Sequence, residues 1–152
     1  HEGPVSFNIA ARRVAAHWGI KRVTDNIASR MRLLFSTGEI NVNEHRADEV
    51  VFLWPPDMTP EGYTAFRVPG NDPHSRRDAS DLPPEEIANA ALYVLQQQVS
   101  LPMEDLVRET ARLFGFQRTG INVEKLIRAG VERLFARGKA IVQDGMVVHQ
   151  HR

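Results

Sequence analysis

Apolar residues spaced three and four apart run through the last third of the chain, then give way to a two-residue period. Leu106, Thr110, Leu113 and Phe114 share one helical face, the mark of an amphipathic helix. Pro102 opens this helix at its first position, where a missing N–H costs nothing. Gly115 ends it, because glycine accepts the left-handed cap conformation. Val123, Ile127, Val131, Leu134 and Phe135 predict a second helix from about Ile121 to Arg137, stopped by Gly138. Beyond it, Ala140-Ile141-Val142 and Met146-Val147-Val148 flank Asp144-Gly145, a strong hairpin signal. Upstream, Pro83-Pro84-Glu85-Glu86 starts a further helix with acids in its first turn, where the helix dipole favours them. Its buried face is Ile87, Ala91, Val94 and Leu95.

An earlier stretch repeats this pattern. Arg12 to Arg22 matches Arg108 to Arg118 at an offset of 96, with Arg, Ala, an aromatic, Gly, an apolar residue and Arg coinciding. Farther on, Ile27, Met31, Leu34, Phe35 and Gly38 match Ile127, Val131, Leu134, Phe135 and Gly138 at an offset of 100. The shift of four residues is about one helical turn. Glu39 to Val42 and Val50 to Trp54 bracket a polar loop, Asn43 to Glu49, and predict a hairpin with a long tip. Agreement of spacing, glycines and aromatics points to a duplication. Trp18 and Phe114, each just before its glycine, are expected in the core, as is Trp54.

The expected fold class is therefore mainly α with small β-hairpin wings: tandem winged-helix-like repeats, helix-turn-helix plus wing, twice. Residues 1–54 form the first unit, which lacks a matching leading helix, and residues 84–152 form the second. Between them, residues 55–83 hold six of the nine prolines, Pro84 following at once, and have no sustained apolar period. They read as an irregular, acidic connector packed along the surface, anchored by Tyr63, Phe66 and Val68.

Charge sharpens this picture. The nineteen basic and nineteen acidic residues balance, which excludes a uniformly basic coat for nucleic acid. They are segregated, however. Residues 1–40 carry six basic and three acidic side chains, residues 41–100 four and ten, and residues 101–152 nine and six. Sixteen of the nineteen cations are Arg, suited to bidentate phosphate contacts, although a coding bias toward Arg gives the same composition. With no cysteine, a disulfide scaffold or thiolate zinc site is excluded. No apolar run approaches 18 residues, so no membrane span is expected. The opening His1-Glu2-Gly3-Pro4 has neither an initiator methionine nor a signal-peptide pattern, as expected of a piece of a longer protein.

In a helix-turn-helix the second helix enters the major groove with its N-terminal part near base edges. Those helices begin near Thr24 and Thr119. Lys21, Arg22 and Arg118 sit in the preceding turns, placed for phosphates. Asn26, Ser29 and Arg30 on the first helix lie off the apolar stripe, as do Asn122, Lys125, Arg128 and Arg133 on the second. Lys139, His149 and Arg152 belong to the second wing. Phosphate contacts set register and Asn or Arg reads base edges. The same residues also fit an ordinary solvated face. Glu124 and Glu132 interrupt the second basic face, with Glu132 spaced to pair with Arg128. Arg22 and Arg118 equally suit a capping or salt-bridge role in the turn.

Catalytic signals are sparse. Glu44, His45, Asp48 and Glu49 gather in one predicted loop, and His149 and His151 share one side of a strand near the chain end. A mobile hairpin tip is a poor holder of metal geometry. No nucleophile elbow, P-loop or dinucleotide-binding glycine pattern is present. No cofactor, catalytic or metal residue is assigned.

Several segments recur in order in a known family. They are Glu2-Gly3-Pro4-Val5, the Arg pair followed by Trp18-Gly19-Ile20-Lys21-Arg22, Phe52-Leu53-Trp54-Pro55, Pro83-Pro84-Glu85-Glu86-Ile87, and Leu113-Phe114-Gly115-Phe116-Gln117-Arg118-Thr119-Gly120. With them the chain resembles the domain of unknown function at the C-terminal end of very large bacterial proteins with a superfamily-1 helicase core, often with a restriction-endonuclease-like segment. Ser6 stands where a His is expected and Gln117 where Lys is commoner. The resemblance implies a cytoplasmic accessory module of a nucleic-acid-processing ATPase, without chemistry of its own. The expected partners are DNA and the remainder of the parent helicase-like protein, with no membrane. Docking against that protein or another partner is the alternative, and a metal-dependent enzyme ranks last.

Overall fold

The structure is a computed structural model that describes residues 3–150. His1, Glu2, His151 and Arg152 lie outside the described residues, and with them the expectations placed on Glu2, His151 and Arg152. The chain divides into two compact units at Gly62/Tyr63. Residues 55–62 therefore go with the first unit and 63–83 with the second. Among the described residues are five α-helices and two three-stranded antiparallel sheets, a mixed α/β content. Among the described residues no helix is long and apolar enough to cross a membrane.

The first unit runs β1 (Val5–Ser6), α1 (Phe7–His17), α2 (Asp25–Ser36), β2 (Asn43–Ala47) and β3 (Val50–Trp54). Ser6 Oγ caps α1 by accepting from the Ile9 amide at 3.2 Å, satisfying one of the donors a helix start leaves open. Gly19, at φ +71°, lets the chain leave α1, and the Ile20 amide donates back to Ala15 O at 2.8 Å. Thr24 caps α2 through a long contact of 3.5 Å to the Ile27 amide. The core gathers Phe7, Ala11, Ala15, Met31 and Leu53. Phe7 and Phe35 meet edge to face at 5.8 Å, and the Arg32 guanidinium lies 5.0 Å from the Phe7 ring centre.

The first hairpin differs from expectation. Glu39–Val42 forms no strand; Asn43–Ala47, read from sequence as loop, pairs with β3 from Asn43↔Trp54 to Ala47↔Val50. Only Asp48 and Glu49 form the turn. The reason lies in the sheet order β1-β3-β2. β2 is an edge strand open to solvent, so its sequence Asn-Glu-His-Arg-Ala carries no apolar alternation. Its position is set by backbone pairing to β3, which supplies the buried Phe52, Leu53 and Trp54.

One further expectation, burial of Trp18, fails in this unit. Trp18 is 67% exposed, and Leu34 is also exposed. Among the described residues no helix of this unit packs across that face, whereas in the second unit α3 does. Trp54, by comparison, is fully buried, as expected, with the His45 ring edge-on at 6.0 Å.

The second unit comprises α3 (Pro84–Gln98), β4 (Ser100–Leu101), α4 (Met103–Leu113), α5 (Ile121–Ala136), β5 (Ala140–Gln143) and β6 (Met146–His149). Pro84 occupies the first turn of α3. Pro102 precedes α4 instead of opening it, and its carbonyl accepts from the Leu106 amide at 3.0 Å. Asp144 (φ +52°) and Gly145 (φ +77°) form the predicted two-residue turn, the primed geometry that matches strand twist. The sheet order is β4-β6-β5.

α3 is the centre of this unit, packed on both α4 and α5. Its predicted face, Ile87, Ala91, Val94 and Leu95, is buried together with Leu106, Phe114, Ile127, Val131 and Leu134. Gly130 permits the close approach: a Cβ there meets Ile87 Cγ2 at 2.4 Å. Gly130→Ala gains about 1 kcal/mol of helix propensity but overpacks the α3–α5 contact, typically worth about 1–3 kcal/mol. A net loss of stability in urea denaturation is the expected outcome.

The Pro-rich segment from Tyr63 onward is pinned to α3. Asn89 Nδ2 donates to Tyr63 O and Ala65 O, both at 2.9 Å. Tyr63 is buried and Phe66 packs on the core, but Val68 is 57% exposed and is no anchor. Stronger than these apolar contacts is a buried ionic clamp. The fully buried Glu86 carboxylate accepts from the Arg67 amide (2.7 Å) and Nη2 (2.9 Å), and from Arg77 Nη1 (2.9 Å) and Nη2 (2.7 Å). Arg77 Nη2 also donates to Arg67 O at 2.9 Å. Burial pushes the Glu86 carboxyl up, but hydrogen bonds from Arg77 and Arg67 and their charges outweigh it and hold it below its ordinary range. Burial, then the neighbouring Glu86 charge, raises the Tyr63 phenol.

Candidate nucleic-acid interface

The residues expected to meet nucleic acid fall at corresponding places in the two units. In the first, Lys21 and Arg22 lie in the α1–α2 turn and Asn26 and Arg30 on α2; all four are exposed. In the second, Arg118 lies in the α4–α5 turn, Asn122 and Lys125 in the first turns of α5, and Lys139 just before β5; these too are exposed. Among the described residues none of these cations is held in an ion pair.

Counting from the helix start reveals a closer correspondence than the apolar stripe does. Asn26 is the second residue of α2, and Asn122 the second residue of α5. Each follows its turn Arg, Arg22 or Arg118, by four positions. Both units thus present an exposed Arg in the turn and an exposed Asn in the helix's opening turn. A helix N-terminus also offers free amides and a positive dipole end to an anion.

Arg128 and Arg133 are differently engaged. Arg128 Nη2 lies 3.3 Å from Glu124 Oε1 and 3.6 Å from Glu104 Oε1. The expected partner, Glu132, is exposed and does not pair with it. Arg133 Nη1 is 2.5 Å from Glu85 Oε1 and ties α5 to α3. This bond is not legible from local spacing, since Glu85 lies 48 positions away. In the second hairpin, His149 is half-buried and paired with Ala140.

The acidic loop dissolves as a metal candidate. Glu44 and His45 are neighbours on β2 and so point to opposite faces. Among the described residues no three His, Cys, Asp or Glu side chains gather where they could hold a metal ion.

A family model described as a protein of unknown function (DUF3320) matches residues 1–29. That span covers β1, α1, the turn carrying Lys21 and Arg22, and the start of α2 with Asn26. Neither the curated proteins nor the solved structures contain a match to the chain.

Proposed function

We propose that this chain is a non-catalytic DNA-binding accessory module made of two winged-helix-like units, attached to a larger helicase- or nuclease-type protein. The observation that carries the reading is the repeated, exposed Arg–Asn pair at the start of α2 and α5. Element order supports it. Each unit runs short strand, helix, helix, hairpin, and each short strand pairs with the second hairpin strand. That is the order of a winged helix, with α3 as the leading helix of the second unit. In such a unit the turn Arg meets phosphate and the Asn reaches a base edge, where Asn pairs best with adenine in the major groove. Arg133, bound to Glu85, serves the α3–α5 contact instead. The match to the family model covers only the first 29 residues, so the helicase context rests on the resemblance of the sequence motifs.

The experiment is a salt titration of duplex binding by fluorescence anisotropy. Six of the candidate cations, Lys21, Arg22, Arg30, Arg118, Lys125 and Lys139, are exposed and, among the described residues, outside any ion pair. If all contact phosphates, the logarithmic slope with salt approaches about −5; one unit alone gives roughly half that. Reversing charge in Arg22→Glu with Arg118→Glu lowers the slope by about 2. Binding that survives the double reversal unchanged overturns the proposed surface.

A second reading, docking to protein, is favoured by one observation: the exposed apolar side chains Val14, Trp18 and Leu34 of the first unit.

A further inference from the structure

Positions that bury their side chains in the second unit carry exposed apolar ones in the first. Across the repeat, Thr110 corresponds to Val14, Phe114 to Trp18 and Leu134 to Leu34. Thr110, Phe114 and Leu134 are 3% exposed or less, whereas Val14, Trp18 and Leu34 are 37%, 67% and 39% exposed. The difference has a visible cause. In the second unit α3 packs on both helices of the pair, and its apolar face shares one core with Phe114 and Leu134. The Phe66 ring adds cover over Phe114 at 6.4 Å. Among the described residues no helix precedes β1. Val14, in the last turn of α1, and Trp18, the residue that follows the helix, are four positions apart, about one helical turn. A single exposed apolar residue is ordinary. Three of them at positions whose counterparts are sealed describe a face shaped for a specific cover.

We propose that the face bearing Val14, Trp18 and Leu34 is the docking site of an amphipathic helix of the α3 kind, supplied by the same polypeptide just upstream of Gly3-Pro4, which lead into β1. The second unit indicates both the occupant and its connection. There the covering helix is separated from the short strand by Val99 alone, and β4 pairs with β6 as β1 pairs with β3. A helix so connected reaches its own unit without a long linker. Its apolar residues follow the α3 spacing of Ile87, Ala91, Val94 and Leu95. One position must differ. Where α3 lays Ile87 against Gly130, the first unit has Arg30, so the incoming helix carries a small or acidic residue there, and Arg30 is open to phosphate only while that helix is absent, as in residues 1–152. This inference does not depend on DNA binding.

Tryptophan fluorescence tests it, because both tryptophans belong to the first unit and only Trp54 is buried. The comparison is between residues 1–152 and the natural polypeptide extended upstream by one helix length and a short lead. In residues 1–152, acrylamide is expected to quench one accessible and one protected tryptophan. In the extended polypeptide the accessible class should disappear and emission should shift to the blue. Trp18→Ala should leave the first unit's melting midpoint unchanged in residues 1–152 and lower it in the extended form. Equal quenching of Trp18 in both forms overturns the proposal. So does protection of Trp18 that grows with the concentration of residues 1–152, which would assign the face to a second copy. A reading frame with no amphipathic segment before β1 overturns it as well.

Discussion

Glu86→Gln is expected to destabilise the second unit by about 3–5 kcal/mol, the usual cost of removing one partner from a buried ion pair. The substitution preserves shape and removes charge. It leaves two guanidiniums, Arg77 at 15% and Arg67 at 35% side-chain exposure, facing each other without a carboxylate. Because Arg67 retains access to water, the lower end of that range applies. Glu85→Gln, one residue away, is a natural control. Its partner Arg133 is 43% exposed and rehydrates, so the loss should be about 1 kcal/mol or less. Acid has the same target. The folded-state carboxyl of Glu86 lies below its ordinary range, so its contribution is fully present above the unfolded value of about 4.3 and is lost as pH falls through the lower folded value. The wild-type second unit should therefore lose stability as pH drops below about 4.3, with a steeper slope than Glu86→Gln. Both tyrosines lie in the second unit and both tryptophans in the first. Tyrosine absorbance and tryptophan emission therefore follow the two units separately in one urea titration.

Ile127→Ala should cost about 2–5 kcal/mol, the range for emptying a buried aliphatic site. Ile127 is fully buried in the core shared by α3, α4 and α5. For a unit of about this size each kcal/mol moves the melting midpoint by roughly 4–8 °C. The tyrosine-detected midpoint should fall accordingly, while tryptophan emission, reporting the first unit, keeps its own. A loss much below 2 kcal/mol would mean that the three-helix core is looser than the packing around Gly130 indicates.

The sequence was most legible where local period and capping agree. α3, α4, α5 and the Asp144-Gly145 hairpin come straight from apolar spacing and glycine positions, because each buries one face against neighbours within its own unit. It was least legible where a long-range partner decides the outcome. β2 is polar because it is an open edge, so its strand character exists only in its pairing to β3. Trp18 matches Phe114 in sequence yet is exposed, because burial depends on a third helix and not on the aromatic itself. Glu85 and Glu86 look alike as first-turn acids. Only folding separates them, one reaching Arg133 on α5 and the other closing on Arg67 and Arg77. At the candidate interface, type and position of Lys21, Arg22, Asn26, Arg30, Arg118, Asn122, Lys125 and Lys139 were readable, and their exposure follows. The engagement of Arg133 was not, since Glu85 comes from another helix, whereas Arg128 is held nearest by Glu124 of its own helix.

The central functional claim is that the starts of α2 and α5 meet DNA. Amide chemical-shift mapping by NMR, during titration of a short duplex into residues 1–152, tests it residue by residue. The largest changes are expected over residues 21–30 and 118–125, with smaller ones at Lys139, all fading as salt rises. Changes confined to other surfaces, or none at low salt, would contradict it.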